Sequence, residues 1–311
     1  NNSTNQNDAL ASITNSMHNL NTTKTFRQFL KMVNITIRQL DNAAHGQIMN
    51  RCLILMEADS KISYQNNADF DYIIAPFLEA VSVAYQFTQT AVKEVFMPLV
   101  HEVSTCGFYK AQLESLLLPS MSSTQHCSFS QNFFVSVNLS SLETLDSTFS
   151  FSNCPFLKIF IALKLQNINQ WCFSYCQKLE TVLTPEATIS DRAFEKCPQL
   201  QTILCQKCSF ECNCEECPKC NGTLQQCLEN GKQFALRDEY KTLQGIQQID
   251  EKFVKYQPRM IQIDLLAVRC QKITYTFCEL HHKKNQMTKN IQQIGQFVQR
   301  VQQQIIVDDA E

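Results

Sequence analysis

The sequence predicts an α+β protein in which a short solenoid of repeats lies between two helical regions. Three observations support this prediction. The pattern F-x-x-C-x-x-L occurs three times in the middle of the chain, at a nearly constant period. Apolar residues in the first 130 residues recur at intervals of three and four, as in an amphipathic helix. A longer pattern of the same kind runs through residues 231–311 and has the form of a coiled-coil heptad.

The composition allows a packed core and excludes several functions. Of the 311 residues, 44% are hydrophobic and 18% are charged, and the formal net charge is −2. Because this charge provides no general attraction to polyanions, nucleic acid is not expected as a partner. Glycine occurs only six times and forms no phosphate-binding motif, so no nucleotide cofactor is expected. The longest apolar region, residues 72–100, is interrupted by Glu79, Lys93 and Glu94, so no membrane span is predicted.

Residues 1–130 are predicted to form a helical domain that begins with a polar leader. Residues 1–20 are rich in Asn, Ser and Thr and carry no apolar periodicity. From Phe26 to Leu40 the apolar residues step by three and four, which predicts the first helix. Similar spacing predicts further helices over residues 48–57, 74–95 and 111–118, with Pro98 and Pro119 ending the last two.

Residues 131–205 are predicted to form the solenoid. The three clear repeats begin at Phe151, Phe173 and Phe194, and their cysteines, Cys154, Cys176 and Cys197, are 22 and then 21 residues apart. A weaker unit lies at residues 134–145. Self-similarity at this period is typical of stacked repeats, in which a single unit cannot bury its own apolar face. Since a solenoid usually presents a surface to partners, the pattern favours a binding protein over an enzyme.

The repeat resembles the BspA-like leucine-rich repeats found in surface antigens of bacteria and protists. The resemblance rests on the F-x-x-C-x-x-L pattern, on Pro185 after the strand, and on Ile168 and Ile189 five residues before their phenylalanines. It implies that the Leu, Phe and Cys columns point inward and that short strands line a concave face. It also implies a non-enzymatic adhesion or protein-binding role without catalytic residues, a protein or glycan ligand, and an extracellular or cell-surface location.

Placing the strands by this family pattern gives a candidate binding surface of two outward columns. The columns consist of Ile159, Thr181 and Thr202, and of Ile161, Leu183 and Leu204. An exposed apolar column would indicate a docking surface. The alternative is that the flanking helices cover these positions, and a register error of one residue would exchange them with core positions.

The cysteines fall into two groups. Cys154, Cys176 and Cys197 occupy one column of the repeats and are predicted to be buried free thiols. The second group begins at Cys205 and continues through a cysteine-rich segment, residues 206–230, which is predicted to cap the solenoid. We expect a disulfide knot there, with zinc binding by overlapping C-x-x-C units as the alternative. The residues concerned are Cys205, Cys208, Cys212, Cys214, Cys217, Cys220 and Cys227.

Residues 231–311 are predicted to be helical. An amphipathic stretch at residues 243–256 is expected to end at Pro258. The heptad seam that follows either mediates homo-oligomerisation through residues 263–305 or folds back on other helices of the same chain. Its a and d positions are Ile263, Leu266, Cys270, Ile273, Phe277, Leu280, Lys284, Met287, Ile291, Ile294, Val298, Val301 and Ile305.

The sequence thus favours a protein-recognition or adhesion module that uses the concave face of a leucine-rich-repeat solenoid. No catalytic residue, metal site or cofactor is assigned. The alternative hypothesis is an intracellular, cytoplasmic scaffold with a zinc-stabilised cysteine cap and a coiled-coil oligomerisation helix. An enzyme housed in the N-terminal helical domain is the third hypothesis, and no converging group of titratable residues favours it.

Overall fold

The computed structural model describes residues 25–145 and 148–308, and the predicted polar leader lies outside them. These residues form a parallel β-solenoid with helices at both ends. The helices are α1 (Phe26–Met32), α2 (Ile37–Asn42), α3 (Leu224–Ala235) and α4 (Asp238–Asp308). The strands are β1 (Gln47–Met49), β2 (Cys52–Ile54), β3 (Tyr72–Ile74), β4 (Ala80–Val81), β5 (Glu94–Phe96), β6 (Glu102–Val103), β7 (Ser123–Thr124), β8 (Ser136–Asn138), β9 (Thr144–Leu145), β10 (Ile159–Ile161), β11 (Asn167–Ile168), β12 (Thr181–Ile189) and β13 (Thr202–Cys208).

Most turns of the solenoid contribute a strand to each of two parallel ladders. The first ladder contains β2, β3 and β5 and then β8, β10, β12 and β13, and a bridge between Phe96 and Leu117 lies between these two groups. The second ladder contains β4, β6, β7 and β9, followed by β11 and the distal halves of β12 and β13. A tight turn follows the second ladder in each repeat, so each coil has three sides.

A column of stacked phenylalanines runs through these turns and forms the centre of the core. Successive ring centroids are 5.0, 5.7, 5.2, 5.9 and 5.8 Å apart, and the rings are nearly parallel. All are fully buried, so each ring fills the space between its neighbours. The column consists of Phe87, Phe108, Phe129, Phe151, Phe173 and Phe194.

Helices cover the N-terminal part of the first ladder. α1 and α2 each begin with a capping box, formed by Thr25 with Gln28 and by Thr36 with Gln39. From α1, Phe26 and Phe29 pack against Phe96 of β5 at centroid distances of 5.6 and 5.5 Å. The antiparallel strand β1 pairs with β2 at this end of the sheet.

The helices predicted between residues 48 and 118 were wrong. The predicted first helix is two short helices, and residues 47–124 form strands β1 to β7 and the turns between them. The solenoid therefore begins well before residue 131. The physical reason is that each side of a three-sided coil turns one or two apolar residues inward. Short strands and turns in succession thus reproduce the spacing of three and four residues that a helix would give.

The C-terminal region is helical, as predicted, but its break at Pro258 is not present. α4 runs from Asp238 to Asp308 with Pro258 inside it. An internal proline removes one backbone hydrogen bond and crowds the preceding turn, and here the helix continues on both sides. The chain divides into two compact units, Asn1–Ile261 and Gln262–Glu311. No helix among the described residues is long and apolar enough to cross a membrane.

Candidate functional site

The six residues predicted to form the binding surface lie side by side in the first ladder. The parallel register pairs Ile159 with Thr181 and Ile161 with Leu183. The next pair of strands aligns Thr181 with Thr202 and Leu183 with Leu204. The two predicted columns therefore exist as continuous rows across β10, β12 and β13.

These columns are covered rather than exposed, so the expectation of an open docking surface here was wrong. All six residues are buried. Ile159, Ile161, Leu163, Leu183 and Leu204 form a second apolar cluster with Phe234, Tyr240 and Leu243, which come from α3 and the start of α4. The alternative that flanking helices cover the columns is the one that the structure confirms.

A different surface carries a regular pattern of polar side chains, of which Gln89 and Asn153 are exposed and Lys110 and Gln131 are half-buried. Gln89, Lys110, Gln131 and Asn153 occupy the same position in four successive turns, two residues after the buried phenylalanine. Their φ angles are 56°, 55°, 59° and 53°, a conformation in which Asn is favoured over bulky residues. We call these four residues the amide column, although Lys110 contributes an ammonium group.

The backbone holds the amide column rigidly. The N–H of each member donates to a carbonyl of the following turn, at distances of 2.9, 3.0, 2.9 and 2.8 Å. The acceptors are, in order, the carbonyls of Tyr109, Ser130, Ser152 and Ser174. Adjacent turns are about 4.8 Å apart in such a ladder, so the side chains repeat along the solenoid at that interval.

The amide column borders a groove of about 430 Å³. Its other lining residues are Gln112, Phe133 and Pro155, and Lys110 is the one ionisable side chain among the seven. Beside the groove, Phe133 and Phe156 contact each other edge to face at 5.9 Å and are 41% and 44% exposed.

The groove can therefore offer several hydrogen-bond donors and acceptors next to an apolar contact surface. Side-chain amides both donate and accept, and they do so without a formal charge. Exposed aromatic rings provide the large apolar contacts that anchor bound ligands. This combination fits recognition of a polar chain that also carries apolar groups, and the lining residues include no pair of acid and base groups.

The three cysteines of the repeat column are buried free thiols, as predicted. The thiols of Cys154, Cys176 and Cys197 donate to the carbonyls of the phenylalanines one turn earlier, at 3.5, 3.1 and 3.0 Å. Burial raises the pKa of the Cys176 and Cys197 thiols, so they remain protonated. Their role is to satisfy backbone carbonyls inside the core.

The seven cysteines of the second group separate into three sets, and all sixteen cysteines of the chain are free thiols. Cys212, Cys214, Cys217 and Cys220 converge, with their Sγ atoms all within 4.8 Å of one another. The thiols of Cys205 and Cys208 share a hydrogen bond that raises the pKa of Cys205 and lowers that of Cys208. The Cys227 thiol donates to the Leu200 carbonyl at 3.2 Å.

Among the four converging thiols, the pKa of Cys214 is lowered and that of Cys212 is raised. Burial opposes ionisation of Cys214, but its sulfur accepts from the N–H groups of Lys196 and Cys217 at 3.3 and 3.4 Å. A hydrogen bond from the N–H of Glu216 adds to these, and the pKa of Cys214 falls to about 6. Burial raises the pKa of Cys212 to about 11.

The sequence-based reasoning missed the amide column and its groove. Gln89 lies in a segment that was assigned to a helix and Lys110 lies in the predicted helical domain, whereas Gln131 and Asn153 lie within residues 131–205, where no outward role was assigned to them. The signal that would have located them is the phenylalanine spacing alone: Phe87, Phe108 and Phe129 are 21 residues apart, like the phenylalanines of the recognised repeats. The residue two positions after each of these phenylalanines is then a member of the column.

The repeats match a known family by sequence. Residues 84–214 match the family described as "BspA type Leucine rich repeat region", in 6 copies. A crystal structure of a leucine-rich repeat protein from Bacteroides ovatus is 16% identical with a TM-score of 0.41. The alignment covers 53% of this chain and 47% of that one, so the chain spans about half the length of that structure. No match was found among curated proteins.

Proposed function

We propose, from the premise that the chain carries a BspA-type leucine-rich repeat region at residues 84–214, that this protein is a non-enzymatic recognition module. Its ligand is an extended segment of a partner protein bound in the groove beside the amide column. The observation that carries this proposal is the regular row of Gln89, Lys110, Gln131 and Asn153 next to the exposed rings of Phe133 and Phe156.

An extended peptide suits this groove for two reasons. Its backbone offers a regular series of N–H and C=O groups, each able to pair with a side-chain amide. Its side chains alternate in direction, so apolar ones can reach the aromatic rim while the backbone follows the amide column. The face predicted from the resemblance is covered by the chain's own α3 and α4, which leaves the groove as the patterned surface.

The test is binding of the full chain to a displayed library of random peptides and, in parallel, to a glycan array. We expect peptides to be enriched, and the double substitution Phe133→Ala with Gln131→Asn to weaken an enriched peptide about tenfold or more, as for an interface anchor. Asn is chosen at position 131 because it tolerates positive φ.

The matched control is Leu236→Ala with Gln244→Asn, at two exposed positions outside the groove. It should leave peptide affinity unchanged. Equal loss of affinity in both variants, or enrichment of no peptide, would contradict the proposal. Enrichment of glycans alone would replace the peptide by a sugar chain as the ligand.

A second function, self-association, is favoured by the exposed seam of α4. Every residue from 271 to 300 is exposed, including the a and d positions Ile273, Phe277, Leu280, Met287, Ile291, Ile294 and Val298. The side chains of Val301 and Ile305, at the end of the predicted seam, lie outside the described residues. A heptad stripe is complementary to a second copy of itself, so we propose that residues 263–305 form a homo-oligomeric coiled coil.

Phe277→Asp is expected to convert the protein to a monomer, because it places a carboxylate in the seam. Light scattering on the full chain across a concentration series measures the mass. Tyr275→Asp is the matched control, since Tyr275 is equally exposed but lies two residues away at an outer heptad position. A monomeric parent chain, or equal dissociation of both variants, would refute self-association through this seam.

A further inference from the structure

We propose that Cys212, Cys214, Cys217 and Cys220 bind one zinc ion as a four-cysteine site. The proposal goes beyond the recognition function and does not depend on it. These four residues occupy the loop between β13 and α3, and their Sγ atoms lie within 4.8 Å of one another. Within the group, Cys214 and Cys217 are buried, and Cys212 and Cys220 are half-buried.

The separations match the edges of a zinc tetrahedron. Zinc–thiolate bonds of about 2.3 Å place neighbouring sulfurs about 3.8 Å apart in tetrahedral geometry. The Sγ atoms of Cys217 and Cys220 are 3.5 Å apart, and those of Cys214 and Cys220 are 4.0 Å apart. Since no Sγ separation exceeds 4.8 Å, the longest one has to shorten by about 1 Å to reach the tetrahedral value.

The surroundings already orient one ligand. The Cys214 sulfur accepts the N–H of Cys217, three residues later, and the N–H of Lys196 from the preceding turn of the solenoid. Hydrogen bonds of this kind fix the position of a metal-bound thiolate and offset part of its charge. Lys196 and Lys219 lie at the same loop, paired with Glu216 and Glu211 at 2.9 and 3.0 Å.

The donor set selects the metal class. Four soft thiolates with no oxygen ligand exclude magnesium and calcium and favour zinc. Binding forms a tetrathiolate complex with one Zn²⁺ and releases one proton for each ligand that is a protonated thiol beforehand, so no oxidant or reductant is needed. A four-cysteine site has no ligand position left for water, so its role is structural rather than catalytic.

The placement of the loop defines what the zinc would stabilise. Phe210, two residues before the first ligand, packs edge to face on Phe194 at 5.9 Å and so covers the end of the phenylalanine column. Cys214 and Cys217 belong to the same apolar core. Zinc would therefore stabilise the loop that covers this end of the phenylalanine column, just before α3 begins.

The test uses the full chain produced under reducing conditions with zinc present. We expect one zinc per chain by elemental analysis and, after exchange with Co²⁺, an absorption spectrum of tetrahedral thiolate coordination. Cys220→Ser should lower the zinc content to background. The matched control, Cys205→Ser with Cys208→Ser, removes two neighbouring thiols and should keep the ion.

The variant Cys220→His distinguishes the loss of a zinc ligand from misfolding of the serine variant. Because histidine is also a zinc ligand, this variant should retain the ion while its cobalt spectrum changes from four sulfur donors to three sulfurs and one nitrogen. Absence of zinc from the parent chain, or retention of zinc and an unchanged cobalt spectrum in the Cys220 variants, would overturn the site. So would alkylation of these four cysteines only after reduction, in protein from its natural source, since they would then be disulfides.

Discussion

Replacing Gly231 with alanine is expected to detach α3 from the solenoid and to lower the free energy of unfolding by about 3 kcal/mol or more. Gly231 lies against β13, and a Cβ atom there would be 2.0 Å from the carbonyl oxygen of Ile203 and 2.8 Å from the amide nitrogen of Leu204. Both obstacles are backbone atoms of a paired strand, so neither can rotate away. The helix itself must move.

That movement would open the apolar cluster on the first ladder, because Phe234 lies one turn further along α3 and covers Leu183 and Leu204. Urea denaturation would measure the loss of stability, and binding of a hydrophobic dye would report the exposed cluster. Gly245→Ala is the matched control. A Cβ atom at Gly245 meets nothing within 4 Å, so this change should stabilise the protein by about 1 kcal/mol through helix propensity. Stability losses of similar size in both variants would contradict this account of Gly231.

The later repeats could be recognised from the sequence because the Phe, Cys and Leu positions of the pattern are all present in them. In the earlier repeats the phenylalanine remains, but the cysteine column holds Thr90, Ala111 and Asn132 instead. The structure explains why Asn132 is tolerated in the core: its amide donates to the Phe108 carbonyl at 2.8 Å, as the cysteine thiols do to their own neighbours. The column requires a small residue or one that satisfies this carbonyl, so no single residue type marks it.

Whether the predicted binding columns are exposed or buried could not be predicted from the repeats, because it depends on tertiary contacts. The family pattern correctly placed Ile161, Leu183 and Leu204 in one row. Whether that row is open or covered depends on α3 and α4, whose own pattern shows an apolar face but no partner for it. The convergence of four cysteines was likewise one of several arrangements that the spacing allowed.

Phe173→Ala is expected to lower the free energy of unfolding by about 3–5 kcal/mol, since it empties a fully enclosed position. The Phe173 ring contacts three others, those of Phe151, Phe160 and Phe194, at centroid distances of 5.9, 4.7 and 5.8 Å. Phe156→Ala is the control, because Phe156 is 44% exposed and its truncation should change stability by less than about 0.5 kcal/mol.

The effect of Phe173→Ala should also be local, because each turn of a solenoid is stabilised mainly by its neighbours. Two buried thiols can report this by their alkylation rates under native conditions: Cys197, which donates to the Phe173 carbonyl, and Cys52, which lies in β2 at the other end. A loss of about 3 kcal/mol in the local opening free energy corresponds to labelling about a hundred times faster at Cys197. Cys52 should change much less. If alkylation becomes faster by the same factor at both thiols, the solenoid opens as one cooperative unit. The end that carries the cysteine cluster would then have the same opening free energy as the rest of the repeats.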